Sequence, residues 1–298
     1  PVRCNWPDLI EKGKSMQINR SAFAFGIALL LSSFAFAQTP QMLKRTISKT
    51  DKFDFGAGGT VVISGAPVGT IVVTGSSKNE IEISAEIQIE AATVEDLDRI
   101  ASVTTFLTEE STGRVGIMTI GTHNKLGDKK LWKKFPKKLL GLPFLIDYTI
   151  SVPRYCDLQI DGGKGDLTVS GVDGPIKISS VESNAKLSLV GGGLSATFGI
   201  GDVEITMPDR SWRGNAVEAQ LATGTMTVHL PSNLSAELDA TILKTGKIEN
   251  SFTTFKPRTR TVPFTDKSVI AKAGGGGVAM KFTVGDGTLK LLPIGKPN

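Results

Sequence analysis

Cysteine is almost missing from this chain of 298 residues: Cys4 lies near the start and Cys156 in the middle. Cys4 precedes a segment that reads as a leader, so the remaining chain has no second thiol for an internal disulfide. A fold held by cross-links is excluded, and stability must come from buried apolar surface. Histidine is as scarce, with His123 and His229 the whole supply. That leaves too few converging groups for a Ser-His-Asp triad or a histidine-based metal site. Tyr and Trp number 2 and 3 against 33 Gly, a balance that favours short strands joined by tight turns over a helical bundle. No catalytic residue, metal ligand or cofactor site is expected.

What is present begins at Met16. Arg20 is followed by an uncharged apolar stretch from Ser21 to Phe36 and by Ala35-Phe36-Ala37. A short basic region, an apolar core near Ala22–Leu31 and a small-x-small ending form the layout of a secretory signal peptide cleaved after Ala37. The stretch of about 16 apolar residues is short for a bilayer span, and no basic stop-transfer cluster follows it. Residues 1–15 are expected to be upstream translation without a fold, 16–37 the signal, 38–59 a linker, 60–292 the folded domain and 293–298 a tail. Gln38 stands where a lipoprotein needs Cys, so acyl anchoring is excluded. The location expected is outside the cytoplasm: periplasmic, surface-associated or secreted.

Charge is uneven along the chain. The whole-chain charge of +5 becomes +3 beyond residue 37, and the stretch from Lys125 to Lys138 alone holds seven lysines against Asp128, or +6. The rest of the mature chain is therefore −3, and the pI near 9.1 is a local property.

From Thr60 onward the sequence falls into apolar alternations of period two. Val61/Ile63, Ile71/Val73 and Ile81/Ile83 are three strand doublets separated by turn residues. The third continues with Ala85, Ile87 and Ile89 on one face and Glu80, Glu82, Glu86 and Glu90 on the other, a solvated carboxylate face. One short helix is expected over Thr93–Ala101, with Thr93 as N-cap and Val94, Leu97 and Ile100 on one side. Strands resume at Val103–Leu107, Val115–Ile120 and Tyr148–Val152.

Beyond Pro153 the inward pairs Leu158/Ile160, Leu167/Val169, Ile176/Ile178, Leu187/Leu189, Ala196/Phe198, Val203/Ile205, Ala219/Leu221, Met226/Val228 and Leu238/Ala240 can be placed. Spacings near twenty residues, such as Leu167 to Leu187, Met226 to Ile248, Ile248 to Val269 and Val269 to Leu289, suit one coil of a β-solenoid. The expected fold is all-β, a right-handed parallel β-solenoid with one short helix. An antiparallel β-sandwich gives similar spacing and is the alternative.

Gly165-Asp-Leu-Thr-Val-Ser-Gly171, Gly174-Pro-Ile-Lys-Ile-Ser179, Gly201-Asp-Val-Glu-Ile205, Gly224-Thr-Met-Thr-Val228 and Gly287-Thr-Leu-Lys-Leu291 share a Gly-x-apolar-x-apolar pattern. With Ile150-Ser-Val-Pro153 and Val228-His-Leu-Pro231, they resemble the bacterial adhesin-type β-strand-repeat family, an exported domain of unknown function. The resemblance spans Thr60 to Leu292 and implies an exported solenoid-like domain with no agreed active site. The lysine-rich insert, residues 125–145, departs from the family pattern.

The remaining chemistry is sparse. His229 alternates with Met226, Val228 and Leu230, which places it outward with Thr225 and Thr227, whereas Cys156 shares parity with Leu158 and Ile160 and points inward as an inert thiol. Gly162-Gly-Lys-Gly-Asp166 lacks the ending of a phosphate loop and the spacing of a calcium nonapeptide; with Gly191-Gly-Gly193 and Gly274-Gly-Gly-Gly277 it reads as a turn. A β-helix carbohydrate-active enzyme would need matched acids, and Asp166, Asp202 and Glu204 are the only strand-borne ones in the repeat. The positive signal is the insert. Lys129, Lys130, Lys133, Lys134, Lys137 and Lys138 interleave with Leu131, Trp132, Phe135 and Leu139, a pattern suited to anionic envelope lipid or acidic polysaccharide. Pro136 interrupts any continuous helix there. The expected role is a non-enzymatic binding or structural module of the envelope, with a carbohydrate-active enzyme or an envelope-sensing partner of a membrane protein as alternatives. Nucleic acid is not an expected partner, and no membrane span is expected after signal cleavage.

Overall fold

The computed structural model describes residues 42–208, 212 and 214–294; the expected leader and signal lie outside the described residues. The described chain is all-β, a mixed eighteen-stranded network with two helices and one 3-10 turn. Alternation dictates it. In β10 (Pro175–Glu182), for example, Ile176 and Ile178 are buried while Lys177 and Ser179 are not, so each strand has one wet face and one core face.

The strands form two ladders, and most rungs contribute a strand to each. In the first ladder β2 (Thr60–Ser64), β8 (Asp157–Lys164), β10 and β12 (Gly193–Thr206) lie parallel in succession, with Val61, Leu158, Ile176 and Leu194 in register. In the second, β3 (Ile71–Ser76), β9 (Leu167–Ser170), β11 (Ala185–Ser188) and the distal half of β12 align Ile71, Leu167, Ala185 and Val203. Two long strands, β13 (Val217–Leu230) and β18 (Val278–Pro293), also run through both ladders. The ladders share one core: Thr119 of β6 (Arg114–Ile120) meets the Tyr148 hydroxyl of β7 (Phe144–Pro153) at 2.7 Å in its interior.

Chain order and spatial order part at both ends. β6 and β7 lie outside β2 and β3, although they follow them in sequence. At the other end β18 slots between β13 and the pair β14 (Ala236–Ile242) and β15 (Gly246–Asn250), so Met226, Leu289 and Ile248 are neighbours in that order. This corrects the recurrence expected from sequence. Leu167 aligns with Ala185, 18 residues on, and not with Leu187; Met226 and Ile248 are separated by β18; and Val269 pairs antiparallel with Ala240. The inward assignments themselves hold at every pair named, because a slip of two residues preserves strand parity.

Antiparallel strands close the ends, which is where the sandwich alternative has its share. β1 (Leu43–Asp54) pairs with β4 (Glu80–Ala91), β4 with β7, and β5 (Thr105–Ser111) with β6. At the far end β17 (Ser268–Ala273) covers β14 and is itself covered by β16 (Lys256–Pro257). β1 overturns the linker expected over 38–59. Its alternation is disguised because half-buried positions on its inner face hold Lys49 and Asp51, whose side chains reach the Phe106 carbonyl (2.8 Å) and Thr108 (3.2 Å). Inward charge on an outermost strand is also a guard against edge-to-edge pairing.

The helix, α1 (Val94–Val103), starts where expected: the Thr93 hydroxyl accepts from the Asp96 amide. Leu97 and Ile100 are buried, but Val94 is exposed and Asp96 takes the inward place instead. The strand expected at Val103–Leu107 begins later, at Thr105.

Where the chain bends from the first ladder to the second, glycines stack. Gly165, Gly201, Gly224, Gly287 and Gly246 all have φ between 122° and 142°. A Cβ on Gly224 would fall on the Gly201 carbonyl, and one on Gly287 on the Gly224 carbonyl. Among the glycine clusters, Gly165, Gly192, Gly274, Gly276 and Gly277 take positive φ as expected of turns, whereas Gly162 and Gly163 belong to β8. At Gly224 and Gly287 the bend therefore leaves no room for a side chain. Gly224→Ala should destabilise by at least about 1–3 kcal/mol in urea denaturation. Gly113→Ala, also at positive φ but with open space where its Cβ would stand, should cost markedly less. Equal losses would mean that conformation alone, without the close approach of strands, sets the cost.

Candidate anion-binding insert

β6 and β7 form a rung beside β2 and β3, so the segment joining them replaces a bend. Residues 65–70 suffice for that bend in the neighbouring rung, whereas 121–143 make it here. The base of the insert is pinned: the Thr122 hydroxyl donates to the Leu142 carbonyl (2.7 Å) and the Gly141 amide to the Thr122 carbonyl (3.1 Å). Asp128 caps α2 (Lys129–Lys134) by accepting from the Lys130 amide at 2.8 Å. Pro136 then interrupts the helix as expected, and a 3-10 turn follows over Lys137–Leu139.

At about 100° per residue, Lys129, Lys130, Lys133 and Lys134 share one side of α2, and Leu131, Trp132 and Phe135 the other. The structure divides the set that the sequence treats as one. Phe135 packs against the core and Leu139 is buried, so both anchor the insert. Trp132 is half-buried, its ring edge-on to Phe135 at 5.0 Å and its Nε1 donating to the Leu126 carbonyl at 2.6 Å. Lys138 is a tie and not a free cation: its Nζ lies 2.8 Å from the Asp96 carboxylate. Lys129, Lys130, Lys133, Lys134 and Lys137 are exposed, and none has a carboxylate partner among the described residues.

The hydrogen bond from Lys138 holds the Asp96 carboxyl below its ordinary value, against an opposing effect of desolvation. A depressed value in the folded state means that the tie is complete above the ordinary carboxylate range and is lost as pH falls through the depressed value. Asp96 is an acid of the first turn of α1. Its partner is 42 residues away, and no local pattern announces it.

The other candidates are accounted for by their neighbours. The carboxylate face of β4 meets lysines: Glu80 and Glu82 contact Lys52 and Lys78, and Glu90 pairs with Lys44 at 3.8 Å. Asp166 accepts from the Asn184 side chain, the Asp202 amide donates to Asn184, and Glu204 lies 3.2 Å from His229, which is outward as expected. His123 sits on the insert against Phe144, ring centroids 5.3 Å apart. Cys156 is buried, and burial followed by the nearby Asp157 pushes its thiol up to about 12. Among the described residues no three His, Cys, Asp or Glu are grouped to hold a metal ion, and no helix is long and apolar enough to cross a membrane.

No family model matches the chain, and no curated protein does. Among solved structures it resembles a "putative cell adhesion protein" of Clostridium sporogenes, at 12% identity over 84% of this chain and 100% of that one, with a TM-score of 0.45. It also resembles a "putative adhesin" of Bacteroides fragilis (14% identity, 83% and 97% coverage, TM-score 0.35). A third is a "putative lipid binding protein" of Parabacteroides distasonis (10% identity, 82% and 96% coverage, TM-score 0.32). At these scores the likeness is one of backbone arrangement and carries no information on ligands.

The Asp96–Lys138 tie has a measurable consequence. Asp96→Asn should speed amide hydrogen exchange across 121–143 while leaving the central rungs β8 to β12 protected. Unchanged exchange in the insert would show that its packing through Phe135 and Leu139 suffices without the ion pair.

Proposed function

We propose that the chain is an exported, non-enzymatic module of the bacterial envelope, a right-handed β-solenoid whose lysine-rich insert binds anionic envelope material. Parallel pairing of strands 18 residues apart supports the solenoid winding in the central rungs. Ala35-Phe36-Ala37 and the uncharged run before it support export with cleavage at Gln38, leaving β1 and the repeats of 60–292 as the folded domain and the bend at 121–143 as its insert.

One observation carries the binding reading: six exposed lysines without acidic partners, Lys125 together with Lys129, Lys130, Lys133, Lys134 and Lys137, are concentrated at one bend. Elsewhere Lys52, Lys78, Lys164, Lys247 and Lys281 each lie near a carboxylate, at 2.7–3.3 Å, and exposed lysines without an ion pair, such as Lys177, Lys186 and Lys272, stand one to a strand. Positive charge held on a pinned insert and left uncompensated is poised for a partner that supplies the anions. Near an anionic surface each lysine contributes a factor of about five in affinity. Such contacts are screened as the Debye length shrinks to about 8 Å at physiological salt.

Replacing Lys129, Lys130, Lys133, Lys134 and Lys137 by Gln should abolish retention on immobilised acidic polysaccharide and on anionic lipid vesicles. The melting temperature should not fall, because these side chains hold nothing together. Lys138 is left in place to keep the insert tied. Wild-type protein that shows no salt-sensitive retention on either material would refute the reading.

A further inference from the structure

We infer that the insert-bearing edge of the stack docks on an anionic lipid bilayer, with Leu126 and Leu131 seated at the headgroup–acyl boundary and the lysines of α2 at the phosphates. The inference rests on the anionic-binding reading and narrows it to one class of surface.

Its observations are apolar. Leu126 and Leu131 lie inside the lysine segment, yet they are 43% and 42% exposed. On the adjoining rung Val68 is 38% exposed, and its carbonyl accepts from the Ile146 amide, which places it beside the start of β7 just past the insert. Met42, Val68, Leu142, Pro143 and Leu145 form the apolar part of an open groove of about 260 Å³ there, which also carries Gln88 and the Lys44–Glu90 pair at 3.8 Å. The same edge continues through Val181 and Ile200, 62% and 55% exposed at the bends of later rungs. The acid beside them, Glu182, pairs with Lys164 at 2.8 Å and adds no uncompensated negative charge.

Acidic polysaccharide gives aliphatic side chains little to bind, since sugars stack on aromatic faces and otherwise form hydrogen bonds. Leucine, valine and methionine gain only by leaving water. Aliphatic side chains flanked by unpaired lysines match a layered target, phosphate outside and hydrocarbon within, and lysine stems can lie along that boundary with their ammonium groups in the headgroups.

The test uses the full chain and vesicles of phosphatidylglycerol mixed into phosphatidylcholine. Pure phosphatidylcholine vesicles are the uncharged reference, and the Ala22–Leu31 run, kept in wild type and variant alike, cancels from the difference between them. Wild type should pellet with the anionic vesicles in a salt-sensitive way. A Leu126→Ser, Leu131→Ser, Val68→Ser variant should lose at least about tenfold in vesicle affinity while keeping wild-type retention on acidic polysaccharide and an unchanged melting temperature. If the triple variant binds vesicles like wild type, the apolar edge is not inserted and the inference is overturned. Wild-type retention on acidic polysaccharide without any on anionic vesicles also overturns it, while leaving the anionic reading intact. Absence of both defeats the two together.

Discussion

Direct approach of backbone to backbone at the bend between ladders is the constraint on which this structure depends. At Gly201, Gly224 and Gly287 each rung sets its glycine against the carbonyl of the rung before, where no Cβ fits. A single bulky residue there would push neighbouring rungs apart along both ladders, because β12, β13 and β18 cross the bend without a break. The spine is interrupted once, at Ser183, which carries no positive φ and whose buried hydroxyl lacks a partner. Stacking at that separation is what lets Leu194, Val217 and Met280 form one continuous apolar row. Each such side chain, removed from water, contributes about 1.5–3 kcal/mol against the entropy of ordering the chain.

A stack of this kind must also protect its ends. Here the first rung in sequence, β2 with β3, and the last strand, β18, are both interior, held between neighbours on each side. A rung wound in simple order could peel from its terminus; these cannot leave without breaking two ladders. At the end that carries the insert the outermost places go to antiparallel strands, to α1 and to inward charges on β1, whereas at the far end β17 caps β14 antiparallel and β15 lies parallel on β18. The insert sits at one such end, where a long connection disturbs no continuing repeat.

Much of this was legible in the residues. Alternation placed the inward side chains correctly, since burial on one face imposes period two whatever the strand's neighbour. Thr93 and Pro136 marked a helix start and a helix break through local chemistry alone. Parallel order was not legible, because nothing in the alternation of β13 or β18 says that they are partners: Val217 and Met280 are 63 residues apart and their match is made by backbone hydrogen bonds. The Asp96–Lys138 tie escaped for the same reason. β1 escaped for another, since Lys49 and Asp51 occupy positions where a strand pattern expects apolar residues. The lysine cluster was evident, but its division into free cations, one tie and buried anchors required the fold.

The central claim is that β18 lies between β13 and β15, and cross-linking measures it directly. Thr225 and Thr288 are register partners on adjacent parallel strands, and Lys247 is the partner of Thr288 on the far side. Adjacent strands lie about 4.8 Å apart, within disulfide reach, and alternate strands at about twice that lie beyond it. On mild oxidation a Thr225→Cys, Thr288→Cys variant should form its disulfide in full while Cys156, buried, stays reduced. A Thr225→Cys, Lys247→Cys variant should remain open. The reverse result, closure between 225 and 247 and none between 225 and 288, would mean that the rungs are wound in simple sequence order and would contradict the account.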